Sequence, residues 1–200
     1  MKQRATSLFA IGILALAIST SVNAKDATNP IASSCKYKKI EEQQAPKKLI
    51  VTGNVEVTLV QDYESRKLYA NEGTSKTKVY STDDAIYVSG KKSGETTKVT
   101  VYVANIYRID VSGNAVVNTK NTLNAQHLQI ILQDDAKADI TSKTESLYTK
   151  LSNETALKLN GATQLHAIST NELATLNTKN FRAAKTEVEK RNSAEYAKVK

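Results

Sequence analysis

From Leu49 onward the chain alternates apolar and polar positions with a period of two. Val55, Val57 and Leu59 alternate with Glu56, Thr58 and Val60, and Val99, Val101 and Val103 alternate with Thr100, Tyr102 and Ala104. Successive side chains of an extended strand point to opposite faces, so each run presents one aliphatic face and one mixed face. Thr52-Gly53-Asn54, Glu72-Gly73-Thr74 and Ser89-Gly90-Lys91 punctuate the runs as turns. Between them residues 78–80 and 85–88 predict shorter strands, and the β-branched and tyrosine content suits half-buried sheet. No helical period occurs over 49–180.

The second half repeats. Asn118-Thr119-Lys120-Asn121 returns 59 residues later as Asn177-Thr178-Lys179-Asn180, an interval that holds three turns of about twenty residues. Short strands are predicted at 111–117, 128–132, 136–140, 147–151, 156–159, 165–168 and 173–176. Polar corners separate them: Gln133-Asp134-Asp135, Ser152-Asn153-Glu154-Thr155, Asn160-Gly161-Ala162-Thr163 and Ser169-Thr170-Asn171-Glu172. This pattern suits a β-solenoid, whose coils bury their inward faces on the coils above and below. A β-sandwich also shows regular short strands. The strand lengths, with Ala136, Ala138, Ala156, Ala167 and Ala174 at inward positions, favour the solenoid.

Ahead of the strands lies a different pattern. Residues 8–18 (LFAIGILALAI) are unbroken apolar, preceded by Lys2 and Arg4 and followed by small residues up to Val22-Asn23-Ala24. This is the layout of a signal peptide, 1–24, cleaved after Ala24. As a helix the apolar run rises only about 16 Å, half of a bilayer's hydrocarbon core, so it predicts export rather than a membrane anchor. No later segment is apolar enough to span. Residues 25–46 carry both prolines, Pro30 and Pro46, among polar side chains and predict a disordered leader. Residues 193–200 are expected to fray. What remains, 47–200, is one domain.

Three segments carry a family resemblance: Val51-Thr52-Gly53-Asn54-Val55-Glu56-Val57-Thr58-Leu59, residues 99–103, and Ile106-Tyr107-Arg108-Ile109-Asp110-Val111-Ser112-Gly113-Asn114-Ala115. The chain resembles, over about 47–200, the head GIN domain family, the autotransporter-adhesin head domains of Bacteroidetes-type bacteria. The resemblance implies a fold similar to pectin-lyase-like solenoids without their catalytic residues, and a role in adhesion at the cell surface. The family's Gly-Ser-Gly corners are replaced here by Asn- and Asp-containing ones, and Asn105 stands where members tend to carry proline; Asn and Asp tolerate left-handed turns best after glycine. The expected fold class is all-β, a right-handed β-helix or solenoid-like domain with a β-rich N-terminal half.

Charge and cysteine narrow the setting. Lys and Arg number 28 against 20 Asp and Glu, a net charge of +8 that becomes +6 once Lys2 and Arg4 are removed. Lys36, Lys38, Lys39, Lys47 and Lys48 form the one local cluster. Outside the cytoplasm such an excess suits an anionic glycan, lipopolysaccharide or membrane surface, or simply a soluble surface. No nucleic-acid motif is present. Cys35 is the only cysteine, so no internal disulfide forms. It stands sixteen residues beyond the apolar run rather than directly after it, which reads as a free thiol rather than an acylation site.

The search for chemistry returns little. His127 and His166 lack a nucleophile or metal partner at local spacing and are predicted to point outward as solvated histidines. Asp110, Asp134, Asp135 and Asp139 are the carboxylates a polysaccharide-cleaving or calcium-binding β-helix would use, but Asp134-Asp135 suit a turn, and the spacing lacks the glycine and closing glutamate of a calcium loop. Tyr80, Tyr87, Tyr102 and Tyr107 crowd the opening half, offering rings for stacking on sugars or on a partner protein, or covers for cross-strand neighbours. The sequence thus predicts a non-catalytic, exported, adhesin-like binding module of the periplasm or cell surface, with no catalytic residue, metal or cofactor. Its expected partner is a surface ligand, a glycan or an envelope protein. The alternatives are a carbohydrate-active enzyme on a pectin-lyase-like scaffold and a structural, oligomerising envelope protein.

Overall fold

The computed structural model describes residues 46–64, 69–72, 77–91 and 96–190. The predicted signal peptide, Cys35, the leader apart from Pro46, and the terminal 191–200 lie outside the described residues. The described chain is all-β and contains no helix, so no helix in it is long and apolar enough to cross a membrane. Its strands are β1 (Lys48–Thr52), β2 (Val55–Gln61), β3 (Tyr69–Glu72), β4 (Lys78–Ser81), β5 (Ala85–Ser89), β6 (Thr97–Val103), β7 (Arg108–Ser112), β8 (Val116–Thr119), β9 (Leu123–Leu132), β10 (Lys137–Leu151), β11 (Ala156–Thr170) and β12 (Thr175–Lys190).

All twelve belong to one mixed sheet in which chain order and spatial order differ. The path runs β3-β6-β2-β8-β10-β9-β7-β1-β5-β4, with β11 on β10 and β12 on β11. Every pairing is parallel except β3 with β6 and β4 with β5. The strands stack in three columns. The first holds β4, β5, β1 and β7, then the final segments of β9 to β12. The second holds β3, β6, β2 and β8, then the opening residues of β10, β11 and β12. The third starts only with the opening of β9.

Within each column like side chains stack in rows. Ile86, Leu49, Ile109 and Ile130 pair in succession, as do Val88, Val51, Val111, Leu132 and Leu151, and all nine are buried. In the second column Val99, Val57, Val117, Ala138 and Leu157 do the same. Neighbouring strands lie about 4.8 Å apart, so each aliphatic row is a continuous dry contact along the stack. Asn118 pairs with Asp139, Asp139 with Lys158 and Lys158 with Asn177, which sets Asn118 and Asn177 in one row three strands apart.

The later strands are longer than the sequence pattern suggests because hydrogen bonding continues while the chain turns between columns. The predicted strands 136–140 and 147–151 are both parts of β10, and 156–159 and 165–168 are parts of β11. Alternation changes phase where the third column meets the first: Glu145 and Ser146 intervene between buried Thr144 and Leu147, and Gln164 and Leu165 between buried Thr163 and His166. Three expectations are corrected, that for Ala167 by this phase change. Ala156 and Ala167 are half-buried on the outward phase while their neighbours Leu157, His166 and Ile168 go inside. The predicted strand 111–117 is broken at Gly113, and Leu173, placed at a strand start, is 65% exposed ahead of β12. Ala136 and Ala138 are inward as predicted.

Where the third column begins, Gln61 acts as a clasp. It is 6% exposed, and its amide donates to the Ala104 and Asn124 carbonyls at 3.0 Å each while accepting from the Asn124 amide at 2.7 Å. Asn121 bonds both backbone groups of Gln61, at 2.8 and 2.9 Å. Satisfying every donor and acceptor is what lets a buried amide sit there without cost.

Turns after the first column also stack, and their backbone is left-handed. Gly53 (φ 81°), Gly113 (φ 72°), Asp134 (φ 63°) and Asn153 (φ 64°) follow one another. A Cβ on Gly53 would run into the Gly90 carbonyl, and one on Gly113 would lie 3.1 Å from the Gly53 nitrogen. Further along the stack there is room, and the side chains tie the turns together. Asp134 accepts from the Gly113 amide at 3.1 Å and from the Asn153 side chain at 3.3 Å. Gly53→Ala is therefore expected to lower unfolding free energy by about 2 kcal/mol or more, combining left-handed strain with a backbone clash. Asn153→Gly should change it by only a few tenths of a kcal/mol. Urea unfolding of the two variants separates steric need from mere turn preference.

Candidate ligand-binding face

The outward side of the first column carries side chains in regular rows. Along one row Tyr80, Tyr87, Ile50, Asp110, Ile131 and Lys150 pair across successive strands. A second row, two residues away, carries Lys48, Arg108, Gln129 and Tyr148, with Ala85 buried at its end. The sequence places them outward simply because the intervening residues, such as Leu49, Ile109 and Ile130, fill the core.

Aromatic rings open this face. Tyr80 and Tyr87 are stacked, with ring centroids 4.7 Å apart and planes inclined by 7°, and Tyr80 is 54% exposed. Lys48 holds its ammonium 5.6 Å from the Tyr107 ring centre and pairs with Asp84. The hydrogen bond to Asp84, and secondarily that to Tyr107, raises the Lys48 pKa above the usual lysine value. Next to Ile50 a depression of about 250 Å³ is lined by Arg108, Asp110, Ile131, Gln133 and Lys150. Arg108 Nε donates to Asp110 Oδ2 at 2.8 Å, fixing the carboxylate at its wall. Stacked aromatics beside fixed polar groups offer a ligand a ring to lie on and donors to align it.

Three of the four predicted tyrosines belong to this neighbourhood. Tyr80 and Tyr87 form the stack, and Tyr107 sits just before β7, its amide donating to the Lys47 carbonyl and its carbonyl accepting from the Gln129 amide. Tyr102 is separate: it lies in β6, in the second column, opposite Val60. Arg108 and Lys150 were not singled out from sequence. They become neighbours only because β7 and the end of β10 lie two strands apart in one column.

The predicted carboxylates serve the turns and rows. Asp134 holds the left-handed turn stack, and Asp139 accepts from Lys158 Nζ at 2.8 Å and Asn160 Nδ2 at 2.7 Å. Asp135 is exposed. Among the described residues no group of three or more His, Cys, Asp or Glu could hold a metal ion.

The histidines part company. His127 is exposed and bonds Ser146 Oγ through Nδ1 at 2.7 Å. His166, expected outward, is 2% exposed, because the phase change between columns turns it into the core row of Leu128 and Leu147. Its Nε2 lies 3.1 Å from Thr149 Oγ1, and Phe181 meets its ring edge-on at a centroid distance of 5.4 Å. Burial lowers its pKa to about 4. A histidine of depressed pKa contributes stability in full above its unfolded pKa, near 6.5, and loses it as pH falls toward the folded value. Urea unfolding between pH 7 and 4 should therefore show a decline of about 3 kcal/mol that His166→Leu flattens. An equally steep decline in the variant would place the titrating group elsewhere.

Comparison with known proteins adds the following. Among curated proteins none matches. A solved structure from Bacteroides fragilis, described as a putative adhesin, is similar at 19% identity and a TM-score of 0.64, covering 80% of this chain and 76% of its own. Two more so described come from Parabacteroides: one of P. merdae at 12% identity and a TM-score of 0.51 (78% and 77% covered), one of P. distasonis at 8% and 0.55 (80% and 78%). These likenesses bear on the fold. The family model described as "Putative auto-transporter adhesin, head GIN domain" matches residues 45–197. The chain, all-β and matched across nearly the whole of its described length, belongs to the head GIN domain family.

Proposed function

We propose that the protein is a non-catalytic binding module, exported to the periplasm or cell surface, that holds a glycan or an envelope protein on the outward face of the first column. The observation that carries this reading is the exposed Tyr80–Tyr87 stack continuing, strand by strand, into the depression at Arg108, Asp110 and Lys150. A regular ladder repeats its groups at the strand spacing of about 4.8 Å, close to the rise of a sugar residue, and so suits an extended polymer better than a compact metabolite. Family membership and the adhesin-type neighbours support a surface role, and the signal-peptide pattern of residues 1–24 supports export. In the same reading the three columns close as the sides of a right-handed β-solenoid. Support for this is the parallel step of 19 to 21 residues from Val116 to Lys137 to Ala156 to Thr175.

The test is an array of bacterial and host glycans probed with the protein while sugar release is followed in the same wells. Saturable binding without release is expected. Tyr80→Ala and Tyr87→Ala should each weaken it about tenfold, an aromatic contact's worth, while Tyr102→Ala leaves it unchanged. Released sugar would replace this reading with an enzymatic one.

A further inference from the structure

The two ends of the sheet are built differently. At one end β4 and β3 finish the first and second columns, each four residues long and antiparallel to its neighbour. Short edge strands leave little backbone for another chain to pair with. At the other end β12 runs sixteen residues and, among the described residues, pairs only with β11. Its far edge offers a long row of backbone donors and acceptors.

Among the described residues nothing covers the interior beyond β12. Thr163, His166 and Ile168 are buried under Ala183, Thr186 and Val188 of β12, and Val188 itself is 56% exposed. Phe181, paired with Gly161, is half-buried against the core. The phase change at the column corner decides which β12 residues point inward: Phe181 and Ala183 before it, Thr186 and Val188 after it.

We infer that β12 is the interface for a second copy of this chain, paired antiparallel about a two-fold axis at Ala184–Lys185. Setting Ala183 opposite Thr186 of the second copy brings Phe181 opposite Val188 on the inward side and Arg182 opposite Glu187 on the outward side. Each contact occurs twice. Apolar thus meets apolar, and a guanidinium meets a carboxylate that is 53% exposed although it already pairs with Lys185 at 2.6 Å. In this register the charge complementarity lies in Arg182 against Glu187, with Asn180 against Glu189, while Lys179 meets Lys190 only at the outer ends of the pairing. Head-to-tail stacking would instead oppose β12 to the four-residue strands of the far end, so the assembly closes as a dimer and does not grow into a filament.

Sedimentation equilibrium of the full chain tests this, with circular dichroism confirming that each variant folds. A concentration-dependent dimer is expected, weakened by salt. Arg182→Glu and Glu187→Arg should each raise its dissociation constant at least about tenfold, and the double variant R182E/E187R should restore it. Val188→Lys should abolish it. A monomer throughout, filaments, or single variants without effect would overturn the proposal. So would a monomer that dimerises only once residues 191–200 are deleted, since the chain's own end would then occupy the edge.

Discussion

In-register parallel stacking is the constraint on which everything else in this fold rests. A parallel row places each residue directly on its counterpart in the next strand, so a side chain suited to the interior must recur at every step. Ile86, Leu49, Ile109 and Ile130 meet that demand in one row, and the turns that follow must also superimpose. Hence the succession Gly53, Gly113, Asp134 and Asn153, all left-handed. Glycine is required where the turns crowd each other's backbone. Asp and Asn suffice where they do not, and there they add hydrogen bonds between successive turns.

The same stacking explains a gradient along the sheet. Toward the C-terminal end the interior rows admit polar groups: Thr149 follows Ile130, His166 follows Leu147, and Thr144 bonds Thr163 at 2.9 Å. Each is satisfied by its neighbour in the row or, like Ser142 Oγ, has no hydrogen-bond partner. Polar pairs between adjacent strands fix register more sharply than aliphatic contacts, which tolerate a slip more readily. The outer face gains a different benefit from the same order, because outward residues recur at the strand spacing too. It presents a ladder of groups at that spacing.

Much of the fold was legible in the sequence. Period-two alternation located the strands of the opening half, and the glycine, Asn and Asp corners marked turns whose left-handed geometry the structure displays at Gly53, Asp134 and Asn153. Two physical facts stayed hidden. Alternation cannot reveal a phase change at a corner, which is why His166 reads as outward and Ala167 as inward. Nor can it reveal that β1 and β2 are inserted among later strands, since a local pattern is silent about which strand lies beside which. The candidate face suffers most from this. Its tyrosines were visible by type, whereas Arg108 and Lys150 join them only through that pairing order.

That insertion has a kinetic consequence. β1 lies between β5 and β7, whose paired residues are 37 and 60 positions further along, and β2 lies between β6 and β8. The first strands to emerge during synthesis therefore have no neighbours until residues 85–89 for β1 and 97–103 for β2 have followed, and their second neighbours end only at residues 112 and 119. Such distant pairings carry a loop-closure cost before any contact rewards them, so this part of the fold forms slowly. β10, β11 and β12, whose partners are only 19 or 20 residues away, can zip together on their own schedule. The end of the chain is thus positioned to fold first and to serve as the template on which its beginning is assembled.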